Sequence, residues 1–231
     1  MADKVKWHSI PLKEVIKTLK TGPAGLSSEE ARRRLERYGF NEIEEVKKES
    51  LLKLFFRQFK NVLVVILLAA TAISLIIGEI VDAATILAIV VACAALGFTQ
   101  EYRAEKAVEA LRKMTAPTAT VIRDGEEKEI PARELVPGDV ILLAMGDRVP
   151  ADARLLEAAN LKVNEAPLTG ESVPVEKRVC DLPPETPLPE RVNMVYSGTT
   201  VVYGRGKAVV VETGMKTEFG RIAAIVREAK K

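Results

Sequence analysis

The residues best suited to chemistry lie in the segment Asn164 to Lys177, which reads NEAPLTGESVPVEK. Its centre is the tetrad Thr-Gly-Glu-Ser, residues 169–172, flanked by Pro167 and Pro174. Because proline restricts the backbone and the segment follows a predicted strand, we predict a stiff, exposed loop with Glu171 near its tip. A carboxylate at such a tip can orient a water molecule, or take its proton, during attack on an acyl or phosphoryl centre. The alternative is an ordinary surface turn, since short strings also occur by chance.

The other reactive side chains offer less. His8 is the only histidine, so a histidine-based triad would rest on one residue near a terminus. Cys93 lies in an apolar run and Cys180 in a predicted loop, and there is no Cys-x-x-Cys pair for a soft metal. We therefore predict neither an internal disulfide nor a metal-binding residue.

Two long apolar segments, residues 61–78 and 83–100, each run 18 residues without a charged side chain. This is about the length that crosses the hydrocarbon core of a bilayer, if each helix extends by a residue or two. A buried hairpin in a soluble protein is the alternative, but soluble helices rarely stay apolar on all sides over such a length. We predict a transmembrane helical hairpin, so the membrane is the expected partner.

Charges at the ends of the hairpin predict its orientation. Basic residues precede the first span and follow the second, whereas the link between them carries only acids, including Glu79 and Asp82. By the positive-inside rule, both long flanking segments face the cytoplasm. Glu79 and Asp82 would then be extracytoplasmic, either lining an ion exit path or, as is more common for acids in short turns, simply solvated. The net charge of +2 argues against general nucleic-acid binding.

Sequence periodicity outlines the segments outside the membrane. LKEVIKTLKT and SSEEARRRLERYGFN predict two short helices, the second with Ser27 in a capping box and Gly39 at its end. After the second span, EYRAEKAVEALRKM continues the helix as a stalk until Pro117. A hairpin around Asp124-Gly125 follows, then strands in DVILLA, ARLLEA, LKVN and GKAVVVET. TEFGRIAAIVREAKK predicts a closing helix.

These patterns predict an α+β membrane protein with a helical hairpin and a small β-rich domain that has helices at both ends. Four segments follow: 1–50, an N-terminal cytoplasmic helical segment; 51–78, the first transmembrane helix; 79–116, the second transmembrane helix and stalk; and 117–231, the β-rich domain with its closing helix.

Five blocks of sequence, in this order, carry a family resemblance: GLSSEEARRRLERYGFNEI, LVPGDVILLAMGDRVPADARLL, LTGESVPVEK, NMVYSGTTVVYGRG and TGMKTEFGRIA. With them the chain resembles the P-type cation-transporting ATPases over nearly all of its length. FRQFKNVLVVILLAATAIS and QEYRAEKAVEAL look most like the calcium and sodium/potassium pumps of the second class. The β-rich domain is then identified with the family's actuator domain, a distorted jelly-roll-like fold.

The resemblance implies roles for the tetrad. In such pumps ATP phosphorylates an aspartate in a separate domain, and the actuator domain rotates to place its Thr-Gly-Glu-Ser loop on the aspartyl phosphate. Glu171 would activate the hydrolytic water, Gly170 would permit close approach, and Thr169 and Ser172 would shape the loop. ATP and Mg²⁺ are implied as cofactors of the complete pump, the remainder of the pump as partner, and the plasma membrane as location. Calcium is favoured over protons as the transported cation.

The sequence also departs from the family pattern. The phosphorylation motif Asp-Lys-Thr-Gly-Thr is absent, as are the nucleotide-binding domain and any Gly-x-x-x-x-Gly-Lys-Ser/Thr loop. We therefore expect the N-terminal portion of a pump, which cannot complete an ATPase cycle by itself. A freestanding, membrane-anchored regulatory or interaction protein that kept the actuator fold is the alternative. Asn164 stands where the family commonly has aspartate, and Pro167 adds stiffness beside the tetrad.

Overall fold

The computed structural model describes residues 5–43, 62–114 and 117–229. The chain divides into two units. The β-sheet unit contains residues 1–44 and 116–231, and the helical unit contains residues 45–115. The N-terminal helical segment therefore belongs to the same unit as the β-rich segment that follows the hairpin.

Two helices form the described part of the helical unit and pack against each other. They are α3 (Val62–Ile77) and α4 (Ile80–Met114). Of the described helices, α4 is long and apolar enough, over Ile80–Ala107, to cross a membrane by length and composition. The shorter α3 has 16 residues and no charged side chain, and residues 51–61 of the predicted first span lie outside the described residues. The predicted stalk is helical to Met114.

Side chains on this hairpin suit an apolar surrounding. Large apolar residues are exposed on both helices, for example Ile76 and Val81. Thr71, Thr85 and Thr99 each donate their hydroxyl hydrogen to the backbone carbonyl four residues earlier, at 2.9, 2.8 and 2.8 Å. Hydroxyl groups in hydrocarbon require such internal partners, so these threonines are compatible with a membrane position.

The β-sheet unit is built on one antiparallel sheet. Its strands are β1 (Thr118–Arg123), β2 (Glu126–Pro131), β3 (Val140–Ala144), β4 (Asp152–Asn164), β5 (Val175–Glu176), β6 (Met194–Val195) and β7 (Thr200–Glu212). The strand order is β2-β1-β3-β7-β4-β5, and β6 also pairs with β4. The hairpin predicted around Asp124-Gly125 is confirmed as the β1–β2 turn. With helices at both ends of the unit, the sheet confirms the predicted α+β class.

Alternating apolar residues of the central strands make the core. Val121 of β1, Ile141 of β3, Leu155 of β4 and Val210 of β7 are fully buried in one cluster. Burying a side chain of this size contributes about 1.5–3 kcal/mol relative to leaving it exposed. This shared cluster holds the four central strands together and gives the loops between them a fixed base.

The prediction of two separate strands in ARLLEA and LKVN was wrong, because both belong to the 13-residue strand β4. The β4–β7 pairing shifts register at several points, one of them between Ala159 and Lys162, and Asn160 has φ +52°. Gly204 of β7 faces this bend, where a Cβ atom would lie 2.3 Å from the carbonyl oxygen of Asn160. The strand therefore bends instead of ending, because glycine lets the backbones approach.

Among the described residues, the β-sheet unit has three helices of eight or more residues: α1 (Leu12–Leu19), α2 (Ser28–Tyr38) and α6 (Glu218–Ala229). Ser27 caps α2 as predicted, accepting a hydrogen bond from the Glu30 backbone N–H at 3.2 Å. The Glu30 carboxylate accepts from Arg34 instead of completing the capping box. The backbone N–H of Gly39 bonds to the last turn of α2, where the helix was predicted to end.

His8 joins the N-terminal segment to the loop before β6. It is 3% exposed, its Nε2 lies 3.3 Å from the Pro184 carbonyl oxygen, and its own carbonyl accepts from Asn193 Nδ2 at 2.8 Å. Burial, assisted by the positive charge of Arg191, lowers the pKa of His8 below its usual value.

Acidification should destabilise the β-sheet unit through His8. Because the pKa is lower in the folded state, the unfolded chain binds the proton first, so this stability is present above a pH of about 6.5 and is lost as the pH falls. We expect the thermal midpoint, followed by the fluorescence of Trp7, to fall between pH 7.5 and 5.5, and to fall less in His8→Gln. Equal losses in the two proteins would contradict this.

Candidate functional site

The predicted reactive segment connects β4 to β5. It begins at Glu165, forms the one-turn helix α5 (Ala166–Thr169), and returns through residues 170–174. The two strands pair next to it, Lys162 opposite Glu176 and one further residue pair beside them. Strand pairing thus holds the two ends of the segment side by side, and the residues between them project from the sheet.

Helix α5 is anchored to one backbone carbonyl, that of Glu165. The Leu168 N–H, the Thr169 N–H and the Thr169 hydroxyl donate to this oxygen at 2.8, 2.9 and 3.2 Å. Asn164 Oδ1 accepts from the Ala166 N–H at 2.9 Å. An aspartate oxygen can accept the same bond, so asparagine preserves this local geometry.

The tetrad is therefore only partly a loop. Thr169 was predicted to belong to the exposed loop, but it ends α5 and is half-buried, because its N–H and hydroxyl both bond back to Glu165. Gly170 follows with φ +81° and ψ −6°, a left-handed conformation that costs other residues about 1–2 kcal/mol. Nothing lies within 4 Å of the position of a Cβ on Gly170, so the space beside it is open.

Glu171 and Ser172 are both exposed, in the part of the segment that projects. The Glu171 N–H donates to Thr169 Oγ1 at 3.3 Å, which links the glutamate to the end of α5. A groove of about 460 Å³ in the same unit is lined by other residues, among them Trp7, Tyr38 and Phe40. The Glu171 carboxylate is thus open to a reacting group that approaches from outside the unit.

Sequence reasoning missed a buried ion pair beneath the loop. Lys177 Nζ lies 2.6 Å from Glu165 Oε1, and the two side chains are 0% and 1% exposed. Burial raises the pKa of the Glu165 carboxyl and lowers that of the Lys177 ammonium, while the attraction between them opposes both shifts. Lys177 Nζ also lies 3.4 Å from the Arg191 carbonyl oxygen and 5.7 Å from the centre of the Tyr196 ring. The sequence signal that could have indicated this pair is an acidic residue, Glu165, near the start of the segment and a basic residue, Lys177, at its end.

Metal binding is not indicated within the described ranges 5–43, 62–114 and 117–229. No three His, Cys, Asp or Glu side chains there are grouped so that they could hold a metal ion. The chemistry that the geometry supports is that of an exposed carboxylate on an anchored loop.

Comparison with known proteins shows the family to which this chain belongs. A family model described as the P-type ATPase actuator domain matches residues 113–227, and one described as the cation transporter/ATPase N-terminus matches residues 7–74. The chain belongs to the P-type ATPase family. The first match contains the whole sheet and the Glu171 loop, so the β-sheet unit carries the actuator domain.

Curated relatives match almost the whole chain. A calcium-transporting ATPase of Listeria monocytogenes is 46% identical over 217 residues, 94% of this chain, and a calcium-transporting ATPase of Bacillus subtilis is 44% identical over 97% of it. A probable cation-transporting ATPase F of Mycobacterium tuberculosis is 47% identical over 96% of the chain. The match spans about a quarter of the length of these P-type ATPase relatives, namely 25%, 26% and 25%.

Proposed function

We propose that this chain supplies the actuator domain and first membrane hairpin of an ATP-driven calcium pump. In this proposal Glu171 promotes hydrolysis of an aspartyl phosphate that another domain of the pump carries. The observation that supports it most directly is the exposed Glu171 carboxylate, presented on a loop whose two ends are tied together. The names of the Listeria and Bacillus relatives support calcium as the transported ion.

The chemistry required of Glu171 is general-base catalysis. A water oxygen attacks the phosphorus, the bond from phosphorus to the aspartyl oxygen breaks, and the proton of the water passes to Glu171. The products are inorganic phosphate and a restored aspartate carboxylate. A base on an exposed loop reaches the phosphate only after the actuator domain has docked on the phosphorylated domain. The docking step therefore determines when hydrolysis occurs. Thr169 Oγ1 accepts a hydrogen bond from the Glu171 N–H. Thr169 and Ser172 would shape the loop, and Gly170 would permit close approach.

The rest of the pump would carry the nucleotide chemistry and the ion path. ATP and Mg²⁺ would be bound by other domains of the pump, and ATP would supply the phosphoryl group. The hairpin α3–α4 would lie in the plasma membrane with the β-sheet unit in the cytoplasm, because the basic residues flank the apolar segments on that side. The hairpin would transmit the rotation of the actuator domain to the ion path.

A chimeric pump tests the proposal. This chain replaces the matching 217 residues of the Listeria relative, and ATP-dependent calcium uptake is measured in membrane vesicles. We expect uptake, with the intact relative as positive control and the relative without its N-terminal part as negative control. A chimera that is inserted in the membrane and phosphorylated by ATP, yet transports no calcium, would contradict the proposal and favour a freestanding regulatory protein.

A further inference from the structure

A continuous series of contacts connects the buried ion pair to Glu171. Lys177 contacts the Glu165 carboxylate at 2.6 Å, and the carbonyl of the same glutamate accepts from Thr169 N at 2.9 Å and from Thr169 Oγ1 at 3.2 Å. Thr169 Oγ1 in turn accepts from the Glu171 N–H at 3.3 Å. A displacement of Glu165 would therefore move the backbone of Glu171.

The ion pair lies beneath the whole segment and not at its surface. Glu165 precedes α5, whereas Lys177 follows β5, and the Lys177 N–H donates to the Leu161 carbonyl of β4 at 2.8 Å. The pair thus joins Glu165, at the start of the projecting segment, to the residue that follows β5, by a side-chain contact in addition to the strand pairing. Glu165 is held at both its side chain and its carbonyl.

Stability alone does not explain this pair. Removing two charges from water costs several kcal/mol each, and apolar residues of similar volume are often as stable or more so. Glu165 Oε2 also has no hydrogen-bond partner among the residues that the structure describes, which adds to the cost. A buried pair can nevertheless fix one geometry, because moving either group away would leave the other charge uncompensated in the core.

We propose that Glu165 and Lys177 are positioning residues that fix the orientation of the Glu171 loop for phosphoenzyme hydrolysis. This role rests on the proposed function of Glu171. Neither side chain touches the reacting phosphate in this proposal, because both are buried beneath the loop. Their effect reaches the reaction through the Glu165 carbonyl and Thr169.

The first test uses the 231-residue chain itself. The double variant Glu165→Gln/Lys177→Met removes both charges at similar volume, so that no unpaired charge is left in the core. The backbone N–H groups of Leu168, Thr169 and Gly170 should exchange with solvent at least about tenfold faster, while those of the β3–β7 ladder stay unchanged. Unchanged exchange at these three positions would overturn the proposal.

The matched control makes the same substitutions in an exposed pair. Glu157 and Lys207 lie 3.2 Å apart, and their side chains are 70% and 27% exposed. Glu157→Gln/Lys207→Met should leave exchange in the loop unchanged. Absence of cooperative unfolding would show that the buried double variant does not fold. In that case the same hydrogen-exchange measurement is made on Glu165→Gln alone, which keeps an oxygen acceptor for Lys177, and unchanged exchange would again overturn the proposal.

The second test measures the reaction in the chimeric pump. The buried double variant should form the phosphoenzyme at the normal rate and lose it about 10²-fold more slowly, since a small misplacement of a catalytic group has this effect. A general loss of folding would instead lower both rates. Normal decay in this variant with blocked decay in Glu171→Gln would overturn the positioning role and leave the proposed function standing. Normal decay in both would overturn both.

Discussion

Replacing Glu171 with glutamine is expected to slow phosphoenzyme hydrolysis in the chimeric pump by about 10²- to 10⁴-fold, the usual contribution of a general base. Glutamine has nearly the same shape but cannot accept the proton from the attacking water. Phosphoenzyme formation should be unchanged, because it uses groups outside this chain. The measurement is the decay of the acid-stable phosphoenzyme after labelled ATP is chased with unlabelled ATP.

Glu176 provides the control for this experiment. It is also an exposed glutamate, five residues further along, but it lies in β5 and not in the projecting part of the segment. The phosphoenzyme of the Glu176→Gln variant should therefore decay at the rate seen in the unmodified chimera. If the phosphoenzyme of the Glu171→Gln variant decays as fast as that of the unmodified chimera, the loop has no hydrolytic role. The regulatory interpretation of this chain is then favoured.

Replacing Asp139 with alanine is expected to lower the free energy of unfolding of the β-sheet unit by about 3–5 kcal/mol, the range for breaking one half of a buried ion pair. The Asp139 side chain is 0% exposed and accepts from Arg123 Nε at 2.8 Å, from Arg123 Nη2 at 2.7 Å and from the Val136 N–H at 2.9 Å. Alanine would leave the guanidinium of Arg123 buried without this partner. Urea unfolding followed by the fluorescence of Trp7 measures the change.

Two controls separate the buried charge from a general effect of truncation. Glu157→Ala removes a partner from the exposed pair with Lys207 and should cost less than about 1 kcal/mol. The double variant Arg123→Met/Asp139→Leu removes both buried charges and should recover much of the lost stability. A cost for Asp139→Ala no larger than that for Glu157→Ala would contradict the prediction.

Local patterns predicted the elements of this fold well where burial is decided within a few residues. The apolar segments gave helices α3 and α4, alternation gave the strands of the β1–β2 hairpin, and Ser27 marked the start of α2. The two-residue strands β5 and β6 were not predicted, since two residues carry no period. The N-terminal extension of β7 was missed because Gly204 and Gly206 interrupt its pattern.

At the candidate site, too, some features could be predicted from the sequence and others could not. The position of Glu171 in an exposed, projecting segment could be predicted, because prolines and a glycine restrict the backbone locally. The helical turn that contains Thr169 could not, since a helix of four residues is too short to show a helical period. The catalytic role of the tetrad rests on the family resemblance and stays a prediction.

The sequence by itself determined the family, the helical hairpin, the β-rich unit and the exposure of Glu171, because periodicity and residue type record how each short segment meets its surroundings. Only the tertiary structure decided that Glu165 pairs with Lys177 and Asp139 with Arg123, and that β4 bends at Asn160 instead of ending. Each of these depends on which strands lie side by side and in what register. Such long-range pairing leaves no local pattern in the chain.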